Sequence, residues 1–264
     1  MCHLFLSISK FCGAEGVVKS ENKTKPITDK LKTIIEKFLY KGTILYKYYH
    51  GYGFAWKTSI LSKNWSIYKL DKPYFCDVKS QYVIDNISKN NVIIGHIRND
   101  EPKKTKIVAS PGIDNTHPFY YKNKIFEHNG FIRDFGKHRA FLKTCILPKF
   151  ARLIRGETDT EVLFYLLLTF LEKDKSEKRA IQNMFGLFRR NGITGLFNVI
   201  YGADDVIVVV RYSLNECNPL PLYIEETPDN ILITSIKLTD KQKMIGKNEI
   251  LVIQNFASLH RAKS

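Results

Sequence analysis

The sequence predicts a protein of mixed α and β structure, in which sheets are flanked by helices, on three observations. Several short runs are apolar at nearly every position, which is typical of strands covered on both faces. Two longer segments, 158–172 and 176–190, have helical patterns and lie between the early and the late strands. The chain has 264 residues, 44% of them hydrophobic. It can therefore bury a substantial core, in one large domain or two small ones.

The first predicted helix is amphipathic. Its apolar residues follow the i, i+3, i+4, i+7, i+8 spacing of one helix face: Leu31, Ile34, Ile35, Phe38 and Leu39. We expect Thr28 to be its N-cap and Gly42 to lie beyond its end. The strand-like runs are 53–56, 65–70, 91–98, 124–130, 195–202, 205–212, 231–235 and 249–255.

The formal net charge of +15 invites a nucleic-acid interpretation. The lysines, however, are spread in ones and twos and form no dense basic arm, so we expect no nucleic-acid partner. The longest apolar run, Val162 to Leu171, is shorter than the roughly 18 to 20 residues of a membrane span, so we expect no membrane partner either.

Five cysteines are scattered without a CxxC pair: Cys2, Cys12, Cys76, Cys145 and Cys217. This spacing predicts neither a metal site nor a disulfide framework, and it favours a reducing, cytoplasmic compartment. The run MCHLFLSIS has no basic residue before it and no cleavage pattern after it, so we do not expect it to be a signal peptide. Cys2 is then either a small buried hydrophobe or, once Met1 is removed, a thiol that carries its own α-amino base.

Polar residues stand at the ends of predicted strands and at the start of a helix. Arg98 ends one strand, Asn129 and Gly130 end another, and Asp159 opens the long apolar helix. Taken singly, these are a surface charge, a hairpin turn and a helix-initiating carboxylate.

Taken together and in order, the motifs resemble the class II glutamine amidotransferase domain of the N-terminal-nucleophile hydrolases. They are MC at the start, GYGFAW (51–56), GHIR (95–98), NTHPF (115–119), HNG (128–130) and TDTEV (158–162). The segment 231–254 is similar to the strands that close stand-alone members. The resemblance implies an α+β fold, a four-layer αββα sandwich of two mainly antiparallel sheets flanked by helices, with 2–264 as one glutaminase domain.

The resemblance also implies the roles of site residues. Cys2 would be the nucleophile, with its α-amino group as base, while the Asn129 side chain and the Gly130 backbone N–H would stabilise the oxyanion. Arg98 would hold the α-carboxylate of glutamine, and Asp159 its α-ammonium group. His117 either contacts the substrate or supports the site. No cofactor and no metal are expected.

After Arg98 the sequence departs from the family pattern. Many members continue with a short turn that also contacts glutamine, whereas this chain reads NDEPKKTKIVASPG over 99–112. The turn common in stand-alone members is altered to Ser235, Ile236 and Lys237.

Three functions stay open. The chain could be a glutaminase that supplies ammonia to a separate synthase or works with a hydrolase subunit. It could be a stand-alone hydrolase of γ-glutamyl amides or peptides, or a non-catalytic binding module.

Overall fold

The computed structural model describes residues 2–10, 21–45, 50–59, 62–99, 112–174, 176–214, 218–256 and 258–263. Cys12, Cys217 and residues 100–111 of the divergent segment lie outside the described residues.

The described strands pair antiparallel throughout. In chain order they are β1 (His3–Ser9), β2 (Tyr52–Lys57), β3 (Ser66–Leu70), β4 (Val92–Ile97), β5 (Phe119–Tyr121), β6 (Lys124–Ile132), β7 (Gly195–Gly202), β8 (Val206–Leu214), β9 (Tyr223–Glu226), β10 (Asn230–Thr234), β11 (Lys243–Met244), β12 (Glu249–Gln254) and β13 (Ser258–Lys263). Within the described residues, seven strands form a first sheet in the order β11-β9-β10-β1-β4-β2-β3. Six form a second sheet in the order β13-β12-β8-β7-β6-β5.

The α-helices of the described chain are α1 (Glu21–Leu39), α2 (Ser80–Ile87), α3 (Phe135–Thr144), α4 (Pro148–Ala151), α5 (Asp159–Lys173) and α6 (Glu177–Arg190). A π-helical stretch, Tyr40–Leu45, continues α1. None of these helices combines the length and the apolar character that crossing a bilayer requires.

Three apolar layers hold the molecule together. One lies between the two sheets and includes Leu4, Ile94 and Ile200. Another packs α1 and α2 against the outer face of the first sheet. The third packs the four helices from α3 through α6 against the outer face of the second sheet. The predicted four-layer αββα sandwich is therefore confirmed.

The predicted N-cap of the first helix is wrong, because α1 begins at Glu21 and Thr28 lies inside it. Gly42 lies beyond the end of α1 at Leu39, as expected, within the π-helical stretch. The apolar spacing marks only the part of a helix that packs on a core. Residues 21–30 extend the same helix because, once a helix has formed, propagation adds about one backbone hydrogen bond per residue other than proline and needs no apolar face.

Candidate active site

Strand alternation brings the polar candidates to the layer between the sheets. Side chains alternate along a strand, and the even-numbered residues Leu4 and Leu6 of β1 belong to the inter-sheet core. Cys2, directly before β1, continues that series. Ile94 of β4 belongs to the inter-sheet core, and Arg98, four residues later, has the same parity and therefore faces the second sheet. In β6, Ile125 belongs to the same core, and Asn129, four residues later, therefore faces the first sheet. Strands β1 and β6 are in contact across the layer.

The thiol of Cys2 lies against the backbone of Asn99. The Asn99 N–H donates to the Cys2 sulfur at 3.3 Å, and the thiol donates to the Asn99 carbonyl at 3.6 Å. The Asn99 side-chain oxygen lies 3.2 Å from Nδ1 of His50. The sulfur is therefore half-buried and held at the end of β4, next to Arg98.

Arg98 is buried, with 1% of its surface exposed, so the surface-charge interpretation is wrong. Its backbone N–H donates to Gly51 O at 2.8 Å, which ties the end of β4 to the residue before β2. Gly51 has φ +131°, and a Cβ there would lie 2.7 Å from Leu70 O. Only glycine allows this close approach.

Asn129 and Gly130 lie inside β6, so the hairpin-turn interpretation is also wrong. They pair with Asn198 and Phe197 of β7, and the strand continues to Ile132. Asn129 is 3% exposed, and its Oδ1 has no hydrogen-bond partner among the described residues. A Cβ on Gly130 would lie 1.8 Å from Leu196 O, so any larger residue would displace β7.

Asp159 is the first residue of α5, and it reaches the end of β6. Its Oδ2 accepts a hydrogen bond from Ile132 N at 2.8 Å. Thr158 caps the helix, because its side chain accepts a hydrogen bond from Glu161 N. This bond fixes the Asp159 carboxylate to Ile132, two residues after Gly130 in β6.

Comparisons with known proteins agree with this architecture, although no family model matches the sequence. A segment of 86 residues, 33% of this chain, is 34% identical to the probable glutamine amidotransferase DUG3 of Saccharomyces cerevisiae. Another match, over 122 residues and 38% of this chain, is 35% identical to the glutamine–fructose-6-phosphate aminotransferase of Buchnera aphidicola subsp. Acyrthosiphon pisum. The matches span only 22% and 19% of the length of these relatives.

A solved structure from Silicibacter pomeroyi, a glutamine aminotransferase class-II domain protein, superposes with a TM-score of 0.60. The match covers 81% of this chain and 96% of that chain at 20% identity. The chain has the fold of a class II glutamine amidotransferase domain. At 20% identity the likeness is one of fold alone.

Within this class II fold, His117 lies in a cluster of buried histidines. Its ring stacks on His96 with centroids 3.7 Å apart, and it is 3% exposed. Neither ring nitrogen has a hydrogen-bond partner among the described residues. Burial holds the pKa of His117 well below its ordinary value, so the ring is neutral. The stacking gives His117 a supporting contact, and its contact with substrate stays a prediction.

His128 joins β6, β7 and α5. Its Nδ1 lies 3.1 Å from the Thr160 hydroxyl, and its Nε2 lies 3.1 Å from Leu196 O. Burial lowers the pKa of His128, and the neighbouring Asp159 carboxylate opposes that effect. His128 therefore fixes the backbone around Gly130 and the start of α5 together.

Sequence reasoning missed Asn99, His50 and Ser235. The Ser235 hydroxyl accepts from Leu4 N at 2.9 Å and lies 3.1 Å from His3 Nδ1, beside Cys2 in the chain. The altered turn thus still anchors the start of β1. Asn99 and Ser235 had a signal in the sequence, since Asn99 directly follows the GHIR motif and Ser235 lies in the altered turn.

Proposed function

We propose that the chain hydrolyses the side-chain amide of glutamine through a thioester on Cys2, releasing glutamate and ammonia. The observation that carries the proposal is the contact of the Cys2 sulfur with Asn99, the residue that follows buried Arg98. A nucleophile and a cation suited to a carboxylate therefore lie together at one strand end.

The thiol must lose its proton before it attacks. Free cysteine has a pKa of about 8.5, and an α-amino group one of about 7.7 to 8.0. Once Met1 is removed, the α-amino group of Cys2 can accept the thiol proton directly or through water. The Asn99 N–H, 3.3 Å from the sulfur, favours the thiolate because it donates to the charged form.

Attack on the amide carbon forms a tetrahedral intermediate with a negatively charged oxygen. We assign the Asn129 side-chain amide and the Gly130 backbone N–H as donors to this oxygen. Both residues belong to β6, which pairs with β7 from Ile125 to Ile132, so the backbone that carries the donors is fixed before reaction and needs little reorganisation.

Recognition of glutamine requires partners for its two backbone charges. Arg98 can grip the α-carboxylate through two parallel N–H bonds, which a lysine cannot form. Asp159 is assigned to the α-ammonium group. Its Oδ2 already accepts from Ile132 N, and a carboxylate has further lone pairs for an ammonium donor.

The steps balance without a cofactor. The thiolate adds to the amide carbon, the protonated α-amino group gives its proton to the departing nitrogen, and ammonia leaves. Water, deprotonated by the same amine, then attacks the thioester and releases glutamate, and the thiol is restored.

We propose that 2–264 forms one glutaminase domain in the cytoplasm. The ammonia that it releases would react with an acceptor bound to a separate synthase. Alternatively, the domain would work with a hydrolase subunit. The two relatives support a partner, because most of the length of each lies outside the segment that matches this chain.

The test is incubation of Met1-processed protein with glutamine and with γ-glutamyl dipeptides, measuring ammonia and free glutamate. Equal release of both products from glutamine supports the proposal. Glutamate released only from the dipeptides favours a γ-glutamyl hydrolase, which the altered sequence after Arg98 leaves open. No turnover of either substrate favours a binding module.

A further inference from the structure

A cavity at the end of the second sheet carries cationic side chains that the proposed function does not use. Its volume is about 420 Å³, and it lies where α6 ends, β7 begins and β8 ends. Arg189 and Lys247 line it. Among the described residues, no aspartate or glutamate contributes to the lining, and neither cation makes an ion pair.

Buried residues hold one of these cations in place. Tyr212 is 1% exposed, and Arg189 donates a hydrogen bond to its hydroxyl. The guanidinium also lies 5.6 Å from the centre of the Tyr212 ring. Because Arg189 is already ordered, a ligand that binds it loses less side-chain entropy on association. A guanidinium has five N–H donors, so others remain for a ligand.

Neutral donors complete the lining. Thr194 and Ser213 bring hydroxyl groups, and Asn248 brings a side-chain amide. The Asn248 oxygen accepts from Ser213 N at 3.0 Å, which fixes the amide's orientation. Gly192, at φ +63°, has open space where a Cβ would stand, so the turn from α6 to β7 leaves the cavity unfilled.

We propose that this cavity binds the phosphate group of a small phosphomonoester. Two cations, with no carboxylate among the described lining residues, match a dianion, and the Thr194 hydroxyl suits the third oxygen that phosphate has and carboxylate lacks. The volume falls in the range of small-molecule sites, about 300–1,000 Å³. It greatly exceeds the roughly 30 Å³ share of one water, which leaves room for an organic part beside the phosphate. Inorganic phosphate has the same recognition chemistry.

The experiment is calorimetric titration of the whole chain with glycerol 3-phosphate, inorganic phosphate and glycerol at constant ionic strength. The variants are Arg189→Gln and Lys247→Gln. The matched control is Arg190→Gln. It removes the same charge from the next residue along the chain, whose side chain does not line the cavity. Lys247 is exposed and makes no ion pair among the described residues, so its variant tests the site even if Arg189→Gln disturbs Tyr212.

We expect glycerol 3-phosphate to bind and glycerol not to bind. Each lining variant should weaken binding about tenfold or more, the typical effect of losing a hydrogen bond to a charged group. Arg190→Gln should weaken binding much less. Equal affinity for glycerol 3-phosphate and inorganic phosphate would show that the site recognises the phosphate group alone and that the organic part of the ligand adds no affinity. Absence of binding, or equal weakening in all three variants, would overturn the proposal. None of these outcomes depends on Cys2 or on glutamine turnover.

Discussion

At the scale of single residues, the proposed mechanism assigns roles to two amide groups. One is the backbone N–H of Asn99 at the Cys2 sulfur, and the other is the side chain of Asn129 in the middle of β6. In that mechanism the first favours the thiolate before attack, and the second stabilises the charge that develops afterwards. Substitutions at the two positions should therefore affect different steps.

Asn129→Ala should lower kcat far more than it changes KM. A donor that acts on the oxyanion contributes mainly in the transition state, and losing one typically costs about 10²–10³ in rate. The measurement is kcat and KM with glutamine, together with the urea unfolding midpoint of the same preparation. A purely structural Asn129 would give lower stability with kcat within a few-fold of wild type.

His50→Ala should slow the reaction of Cys2. The variant removes the ring that lies against the Asn99 side chain, so the N–H at the sulfur becomes less well positioned. We expect the rate of Cys2 alkylation by iodoacetamide at pH 7 to fall several-fold and its pH profile to move to higher pH. His260→Ala, at an exposed site on β13, is the control. Identical pH profiles for the two variants would remove His50 from the site.

At the scale of elements, β6 carries both residues that are assigned to the oxyanion, Asn129 and Gly130, and the sequence predicted this strand only in part. The run 124–130 predicted the strand, but Asn-Gly is typical of a turn, and nothing local reveals that β7 pairs with β6 through Ile132. Such pairing is set by residues nearly 70 positions away. Strands β5, β9 and β11 were missed because they are too short for an alternation pattern.

Strand β6 also carries a buried acid, Glu127. It is fully buried, and neither carboxyl oxygen has a hydrogen-bond partner among the described residues. Burial raises the pKa of Glu127 well above its ordinary value, so the folded state keeps the proton. The unfolded chain releases that proton above about pH 4.5. Glu127 therefore destabilises the fold increasingly as pH rises above that value.

Glu127→Gln should remove this dependence, since the amide does not ionise. Its stability relative to wild type should grow between pH 5 and pH 8, by up to about 1.4 kcal/mol per pH unit. Urea unfolding at both pH values measures this difference. Glu172→Gln, at a half-exposed carboxylate on α5 paired with Lys149, is the control. A stability difference that does not vary with pH would contradict the expectation.

At the scale of the whole molecule, buried histidines join the layers near the candidate site. His96 and His117 stack, and burial holds the pKa of each well below its ordinary value. Burial also lowers the pKa of His3 to about 3. The family motifs predicted the sandwich and the candidate residues. They could not predict this cluster, because stacking between β4 and the segment before β5 depends on tertiary packing.

The cluster should make the fold sensitive to acid. The unfolded histidines bind protons below about pH 6.5, whereas the folded ones resist until much lower pH, so stability is lost as pH falls below 6.5. His117→Phe removes one such group and should reduce the loss between pH 7 and pH 5 relative to wild type. The size is at most about 1.4 kcal/mol per pH unit. His260→Phe is the matched control. Equal pH dependence in both variants would show that the folded His117 does titrate.

The central claim is that the Cys2 sulfur forms the covalent intermediate. Ammonia release from glutamine should be compared in Cys2→Ala and in Cys76→Ala, which changes an exposed thiol on the same chain. Because loss of a nucleophile can lower kcat on the order of 10⁶-fold, we expect no release above background from Cys2→Ala. Its unfolding midpoint should be unchanged, and Cys76→Ala should match wild type. Release from folded Cys2→Ala within tenfold of wild type would contradict the account.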